Sequence, residues 1–287
     1  MTTAKMTSSP ARTSWSRQLN ASMLLGGALV ALVVAMAVLS FIWTPHNPYD
    51  QVLSEAHRGP SVNHLMGTDR LGRDVFSTIL YGSRIALLVG LTSVGIALLI
   101  GTPVGILAGM RGGWIEEVIM RLSDMLLAFP ALLLAMMFAA VFGPGTVSAM
   151  VAIGIASIPG FARVARAGTL QVMSREYVAA AKAASQPRLR IALRHVLPNV
   201  AGMIVVQCSV TFSLAVLAEA ALSYLGLGTQ PPTASWGRML QEAQQYLWLN
   251  PMLVVWPGLA IALAVMGFNM LGDGLRDRFD PKLKGKS

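Results

Sequence analysis

Charge is scarce in this 287-residue chain and cysteine nearly absent. Asp, Glu, Lys and Arg make up 12% of it, where an average soluble chain has about 25%. The one cysteine, Cys208, falls inside an apolar run. That excludes a disulfide framework and a cysteine-based metal site, and leaves a buried, inert thiol. The four histidines, His46, His57, His64 and His195, show no ligand spacing with cysteine or carboxylates. Three lie in one polar segment, so a surface role is expected of them rather than a metal. No Ser/His/Asp spacing points to nucleophilic catalysis, and Ser93 and Ser213 read as packing residues. The C-terminal Gly285-Lys286-Ser287 ends like a phosphate-binding loop but has Asp280 where a glycine is required, and no strand precedes it. The chain is therefore expected to bind no nucleotide or other cofactor and to catalyse no reaction.

Two further absences bear on transport. No period of 20–50 residues recurs, and no inverted pair of interrupted apolar segments marks a secondary carrier. Ionisable groups near the middle of an apolar run, which a proton- or sodium-coupled carrier usually needs, are missing as well.

What the chain has is apolar length. Hydrophobic residues make up 54% of it, and several runs exceed the roughly 18 residues that mark a membrane-spanning helix. The reading is an all-α polytopic membrane protein with six spans. Residues 1–20 read as a polar, disordered tail, and 21–43 as a retained anchor helix, too long for a signal-peptide core. Residues 44–84 form a polar segment long enough to need structure of its own. In it Leu71, Val75, Phe76, Ile79 and Leu80 fall at helical spacing, which predicts an amphipathic helix lying on the membrane surface. A five-helix core follows over 85–272, with spans near 85–109, 118–142, 146–164, 200–222 and 251–271, then a charged tail over 273–287. Pro130 is expected to kink the third span, and Pro251 to begin the sixth. Gly101, Gly105 and Gly109 repeat every four residues and predict close approach of another helix.

Six spans put both termini on one side. Assigning that side to the cytosol places 17 Lys and Arg inside and five outside, as the positive-inside bias requires. The net charge of +9 is thus a matter of topology and lipid, with no nucleic acid partner implied.

Between the fourth and fifth spans lies a polar island, REYVAAAKAASQPRLRIALRHVLPN, from Arg175 to Asn199. Glu176 to Ala184 has high helix propensity, Ser174 can cap it, and Glu176 suits the positive end of the helix dipole. Pro187 interrupts the run, and a second helical stretch, Leu189 to Leu197, reaches Pro198. A compact helix–turn–helix exposed to water reads as a protein-docking element, against the alternative of a basic loop on anionic lipid. Two acids stand at membrane depth. Asp124 follows Arg121 by three residues and predicts an intrahelical pair or a place on a pathway. Glu219 stands roughly 30 Å above the start of the fifth span, either bordering an outward gate or reaching headgroups.

Several segments together resemble a known family over about residues 60 to 281. They are HLMGTDRLGRDVFSTILYGSR at 64–84, RLSDMLLAFP at 121–130, the island, EAALSYLGLG at 219–228, SWGRML at 235–240 and WPGLAIALAVMGFNMLGDGLRDRFDP at 256–281. In order and spacing they look like the second permease subunit of the dipeptide/oligopeptide/nickel class of ATP-binding cassette importers. The resemblance implies a type I importer permease fold in a prokaryotic inner membrane. It also implies a second, similar permease, two cytosolic ATPases that use ATP and Mg, and an external solute-binding protein as partners. The island (165–199 with its flanks) then becomes the loop that grips an ATPase, with Glu176, Tyr177, Ala180, Ala181, Lys182, Ser185, Arg190 and Arg194 as its contact residues. The family's Glu-Ala-Ala falls on Ala179, Ala180 and Ala181, its glycine on Ser185, and its Leu-Pro on Leu197-Pro198. Ala179 lacks the carboxylate, which Glu176 supplies one turn earlier, and Ser185 lacks glycine's freedom at positive φ. A small peptide is the implied substrate, with nickel chelates and glutathione open. An ion-coupled carrier and a non-transporting scaffold are the rival classes.

Overall fold

A computed structural model describes residues 12–279, with side chains from 21 to 278. Its long helices are α1 (Arg12–Ile42), α2 (Val75–Arg111), α3 (Gly113–Ala128), α4 (Ala131–Phe142) and α5 (Thr146–Met173). After the short α6 (Glu176–Ala183) and α7 (Arg188–Ile191) come α8 (Leu197–Tyr224), α9 (Trp236–Ala243) and α10 (Met252–Phe279). Among the described residues, five helices are long and apolar enough to cross a membrane, or six if α3 and α4 count as one broken span.

Glycines set the core. A Cβ on Gly101 would lie 2.6 Å from the Ile158 carbonyl oxygen, and one on Gly105 would lie 2.2 Å from that of Ala162. One on Gly109 would meet Thr169 at 2.8 Å, so the expected stripe is a backbone-to-backbone seam between α2 and α5, which run parallel. A second seam has no such repeat in the sequence to announce it. Gly26 of α1 meets the backbone of Leu271, Gly267 meets Leu29, and Gly274 meets Met23, so α1 and α10 lie antiparallel in close contact. Between α8 and α10, Phe212 stacks on Phe268 at 3.8 Å, and Gly90 of α2 leaves room for the Phe212 ring.

Several expected boundaries are corrected. The surface-lying amphipathic helix does not exist. Val75 opens α2 itself, and Val75, Ile79 and Leu80 are buried in its first turns, because Asp74 caps the helix by accepting from the Ser77 N–H at 2.8 Å. Leu71 lies before the helix, in a segment from 44 to 74 held by its own hydrogen bonds. The third span is two helices at 82° rather than one kinked helix. Pro130 forces Phe129 into extended conformation (φ −87°, ψ 124°) and ends α3. The tail expectation fails for 12–20, where α1 is already helical, and for 273–279, where α10 continues; residues 1–11 and 280–287 lie outside the described residues. Pro251 precedes α10 as expected, its carbonyl accepting from the Val254 and Val255 N–H groups.

The segment 44–74 is also tied to α9, which lies between α8 and α10. Arg73 donates to Asp69 at 2.6 Å and also pairs with Glu242 of α9, which Arg238 contacts at 2.9 Å. Burial disfavours the Arg73 cation, yet the two carboxylates more than offset this and raise its pKa. Trp236 is buried and donates its indole N–H to the Ile79 carbonyl at 3.0 Å.

Candidate functional site

The island is a protruding turn at the end of the bundle where α2 and α5 finish. Ser174 does not cap α6. Its hydroxyl donates back to the Gln171 carbonyl at 2.9 Å, and Arg175 occupies the cap position without a side-chain bond. The eight-residue α6 is anchored on one side alone. Val178 and Ala181 are buried, in one cluster with Val172 of α5 and with Ile191, Val196 and Val200. Glu176, Tyr177, Ala180, Lys182 and Ser185 are exposed, as are Arg190 and Arg194 beyond the turn. Ala181, grouped with the contact residues above, is buried and helps to anchor α6.

The turn closes as a Schellman motif. The Ser185 N–H donates to the Lys182 carbonyl at 2.9 Å, and the Gln186 N–H donates to that of Ala181 at 3.1 Å. Ser185 sits at φ 52°, the left-handed position that glycine fills without penalty. An L-residue there costs about 1–2 kcal/mol, partly offset by the roughly 0.5–1 kcal/mol of chain entropy that a glycine loses. Ser185→Gly is expected to stabilise the turn by about 0.5–1 kcal/mol, seen as roughly two- to fivefold slower hydrogen exchange at the amides of positions 185 and 186. Faster exchange would mean that the serine is preferred there.

Pro187 caps α7, as expected of a breaker, but the second stretch does not stop at Pro198. Ala192–Val196 widens into a π-helical turn and leads directly into α8, with Pro198 in the first turn of α8, where its missing N–H is tolerated. The Asn199 amide spans the widened turn by donating to the His195 carbonyl at 2.6 Å. The island's second half is therefore one piece with the 37-residue stretch from Arg188 to Tyr224. Leu189, Leu193 and Leu197 form an exposed apolar stripe beside Arg190 and Arg194. Tyr177 faces His195 across the turn at 5.8 Å between ring centres.

Both membrane-depth acids have other partners than expected. Arg121 pairs with Glu117 at 2.6 Å, and Asp124 instead accepts from Arg163 of α5 at 2.5 Å. Arg166 of α5 pairs in the same way with Glu116, so two ion pairs join α3 to α5. The Asp124 pair is exposed on both sides, where such contacts contribute about 0–1 kcal/mol. Glu219 is 3% exposed and packed inside the protein. It accepts from Ser223 Oγ at 2.6 Å and from Thr229 Oγ1 at 3.0 Å, while Thr146 at the start of α5 donates to Thr229. A buried carboxylate with these donors is a knot joining α8, its following loop and α5.

The histidines depart most from expectation. His64 is 6% exposed, and its two ring nitrogens face Asp74 Oδ1 at 3.0 Å and Glu55 Oε2 at 3.3 Å. His46 stacks on it at 4.6 Å. The sequence gives no sign of this cluster, since its members come from an irregular segment and a helix cap.

Residues 101–285 match the family described as binding-protein-dependent transport system inner membrane component. The chain is 41% identical over 261 residues to the dipeptide transport system permease protein DppC of Alkalihalophilus pseudofirmus, covering 91% of this chain and 86% of that one. It is equally, 41%, identical over 286 residues to the glutathione transport system permease protein GsiD of Pectobacterium atrosepticum, covering 98% and 94%. Of solved structures, the inward-facing MetNI methionine ABC transporter shares the fold, with a TM-score of 0.59 at 17% identity over 71% of this chain and 96% of that chain.

Proposed function

We propose that this chain, which belongs to the family of binding-protein-dependent transport system inner membrane components, forms half of a translocation pathway and is driven through α6. It is an importer permease of the peptide class. Glutathione remains as a second substrate reading, because a glutathione permease is as similar to it as a dipeptide permease. One observation carries the mechanism: α6 is a short helix with a water-facing side, anchored between the ends of α5 and the continuous α7–α8 rod. A push on such an element moves two long helices together.

In this reading α6 faces the cytosol and docks on one of two ATPases, which hydrolyse ATP while the permease itself catalyses nothing. A second permease completes the pathway. The broken pair α3–α4 suits that contact, since Leu122, Met125, Leu133 and Met137 are all more than half exposed. The segments 44–74 and 225–251 then face the delivering binding protein. Closure of the ATPases favours one helix arrangement over the other by binding it more tightly, which is what shifts the population.

The test is ATP-dependent uptake by the complete assembly in proteoliposomes, with a dipeptide, a tripeptide and glutathione offered through the cognate binding protein. Joint replacement Glu176→Ala and Arg190→Ala is expected to lower ATPase co-purification and uptake at least fivefold, the loss of about 1 kcal/mol from an interface. Uptake driven by an ion gradient without ATP would move the chain to the secondary carriers. Unchanged ATPase binding and uptake in the double variant would remove α6 as the docking element.

A further inference from the structure

We propose that His46, His64 and Asp74 form a binding site for a divalent transition metal of the zinc class, which fastens the segment after α1 to the start of α2. The three side chains each present one ligand atom, and these atoms lie within 4.8 Å of one another. His64 Nδ1 is 3.0 Å from Asp74 Oδ1, and His46 Nδ1 is 3.9 Å from the same oxygen. Two ligands each about 2.0–2.1 Å from a tetrahedral zinc stand roughly 3.3 Å apart. The two observed separations bracket that value, and all three ligand atoms lie within 4.8 Å of one another, so the set converges on one point and closes by small movements of the His46 ring.

A hydrogen-bonded pair accounts for His64 and Asp74 but leaves His46 unexplained. His46 Nδ1 is buried and has no hydrogen-bond partner, and 3.9 Å is too long for a bond to Asp74. A buried nitrogen lone pair or N–H without a partner is destabilising. Coordination removes that cost, because a metal placed between the two Nδ1 atoms and Oδ1 satisfies all three.

The surroundings are arranged as ligands need. With His64 Nδ1 on the metal, its other nitrogen donates to Glu55 Oε2 at 3.3 Å, the carboxylate–histidine–metal relation that fixes ring and tautomer. Asp74 uses Oδ2 to accept from the Ser77 N–H at 2.8 Å and its hydroxyl at 2.7 Å, leaving Oδ1 free to face the imidazoles. The same Ser77 hydroxyl accepts from the His46 backbone N–H at 3.1 Å, which holds that histidine over the site. The rings of His46 and His64 are inclined by 28°. The ligand set is two imidazoles and one carboxylate, which suits zinc over calcium or magnesium. The His46 side chain is 41% exposed, so water can take a fourth position.

The sequence consequence is a clasp. His46 follows the end of α1, His64 sits within the irregular segment, and Asp74 caps α2. One ion ties three points of a segment that otherwise holds itself by turns and loop hydrogen bonds. The site stands whether or not the importer reading does, because it depends on these residues alone.

The test uses the untagged full chain, together with the subunits that co-purify with it, stripped with a chelator and then titrated with zinc in competition with a chromophoric chelator. One zinc per chain is expected, with a rise in thermal midpoint on loading. His46→Ala removes a partly exposed ligand whose buried nitrogen has no partner without metal, so it should not lower the metal-free midpoint. It should weaken binding at least about 100-fold, at or beyond what loss of an outer-shell partner costs. Asp74→Asn keeps an acceptor for the helix cap and should weaken binding likewise. Absence of a stoichiometric zinc, or equal binding and equal stabilisation in His46→Ala, overturns the proposal.

Discussion

Gly105→Leu is expected to abolish the assembled bundle. A Cβ alone at this position would lie 2.2 Å from the Ala162 carbonyl oxygen and 2.9 Å from its Cα and carbonyl carbon. The obstructing atoms are backbone, so no rotamer change relieves the contact; α2 and α5 have to separate. Overpacking a close-packed core costs about 1–3 kcal/mol, and more where backbone must move. This seam is the most extensive between any two helices of the described residues, so its separation also disturbs the Gly101 and Gly109 contacts. We expect a loss of about 3 kcal/mol or more, read as failure to survive detergent extraction as a monodisperse species. Gly95→Ala on the same helix is the control. Nothing lies within 4 Å of a Cβ there, so it should be neutral or stabilising by about 0.5–1 kcal/mol. Similar behaviour of the two variants would show that the seam is not what holds α2 against α5.

The difference between those two glycines also shows what the sequence disclosed. A four-residue glycine period announces a close approach without naming the partner, and Gly101, Gly105 and Gly109 were legible on that ground. Gly26, Gly267 and Gly274 were not, because the α1–α10 seam draws its glycines from two distant helices and has no four-residue repeat in either. The spans themselves were legible because the bilayer demands unbroken apolar length. Their ends were less so. Val75 to Leu80 has the same periodicity whether it lies on a membrane or enters one, and the deciding signal was the cap at Asp74, three residues before Ser77. At Pro130 a breaker was visible, but the size of the bend was not, since neighbouring contacts set it.

The island divides in the same way. Helix propensity, Pro187 and the one-residue departure at Ser185 told of a helix, a stop and a strained turn, all of them local properties. Which side of α6 faces the bundle was beyond reach, because an Ala-rich helix presents nearly the same face all round. Ala180 and Ala181 look alike in sequence, yet one is exposed and the other anchored. Partners of charges were misread for a related reason. Arg121 has acids at both Glu117 and Asp124 within helical reach, and the choice fell to Arg163, which only folding brings near. His46, His64 and Asp74 are the extreme case, a cluster assembled wholly by tertiary structure.

Val178→Asp is expected to uncouple transport while leaving the membrane helices in place. Val178 is fully buried, and α6 has little else besides Ala181 to hold it. Val178 sits in a cluster of apolar side chains, and an unpaired buried charge costs several kcal/mol. The cheapest escape is for α6 to lift away, since eight residues with two anchors oppose this with less than the charge costs. The exposed face of α6 is unchanged by the substitution, so an ATPase still finds its contacts, now on a loose element. Under the proposed mechanism ATP hydrolysis then continues while uptake falls at least tenfold, and the ratio of the two is the measurement. Ala179→Glu, one residue on and facing water, places a carboxylate without disturbing the anchor and should leave that ratio intact. If Val178→Asp transports as well as the unaltered chain, α6 carries no load. If hydrolysis and uptake instead fall together, the anchor serves docking rather than transmission, and the lever belongs elsewhere in the α7–α8 rod.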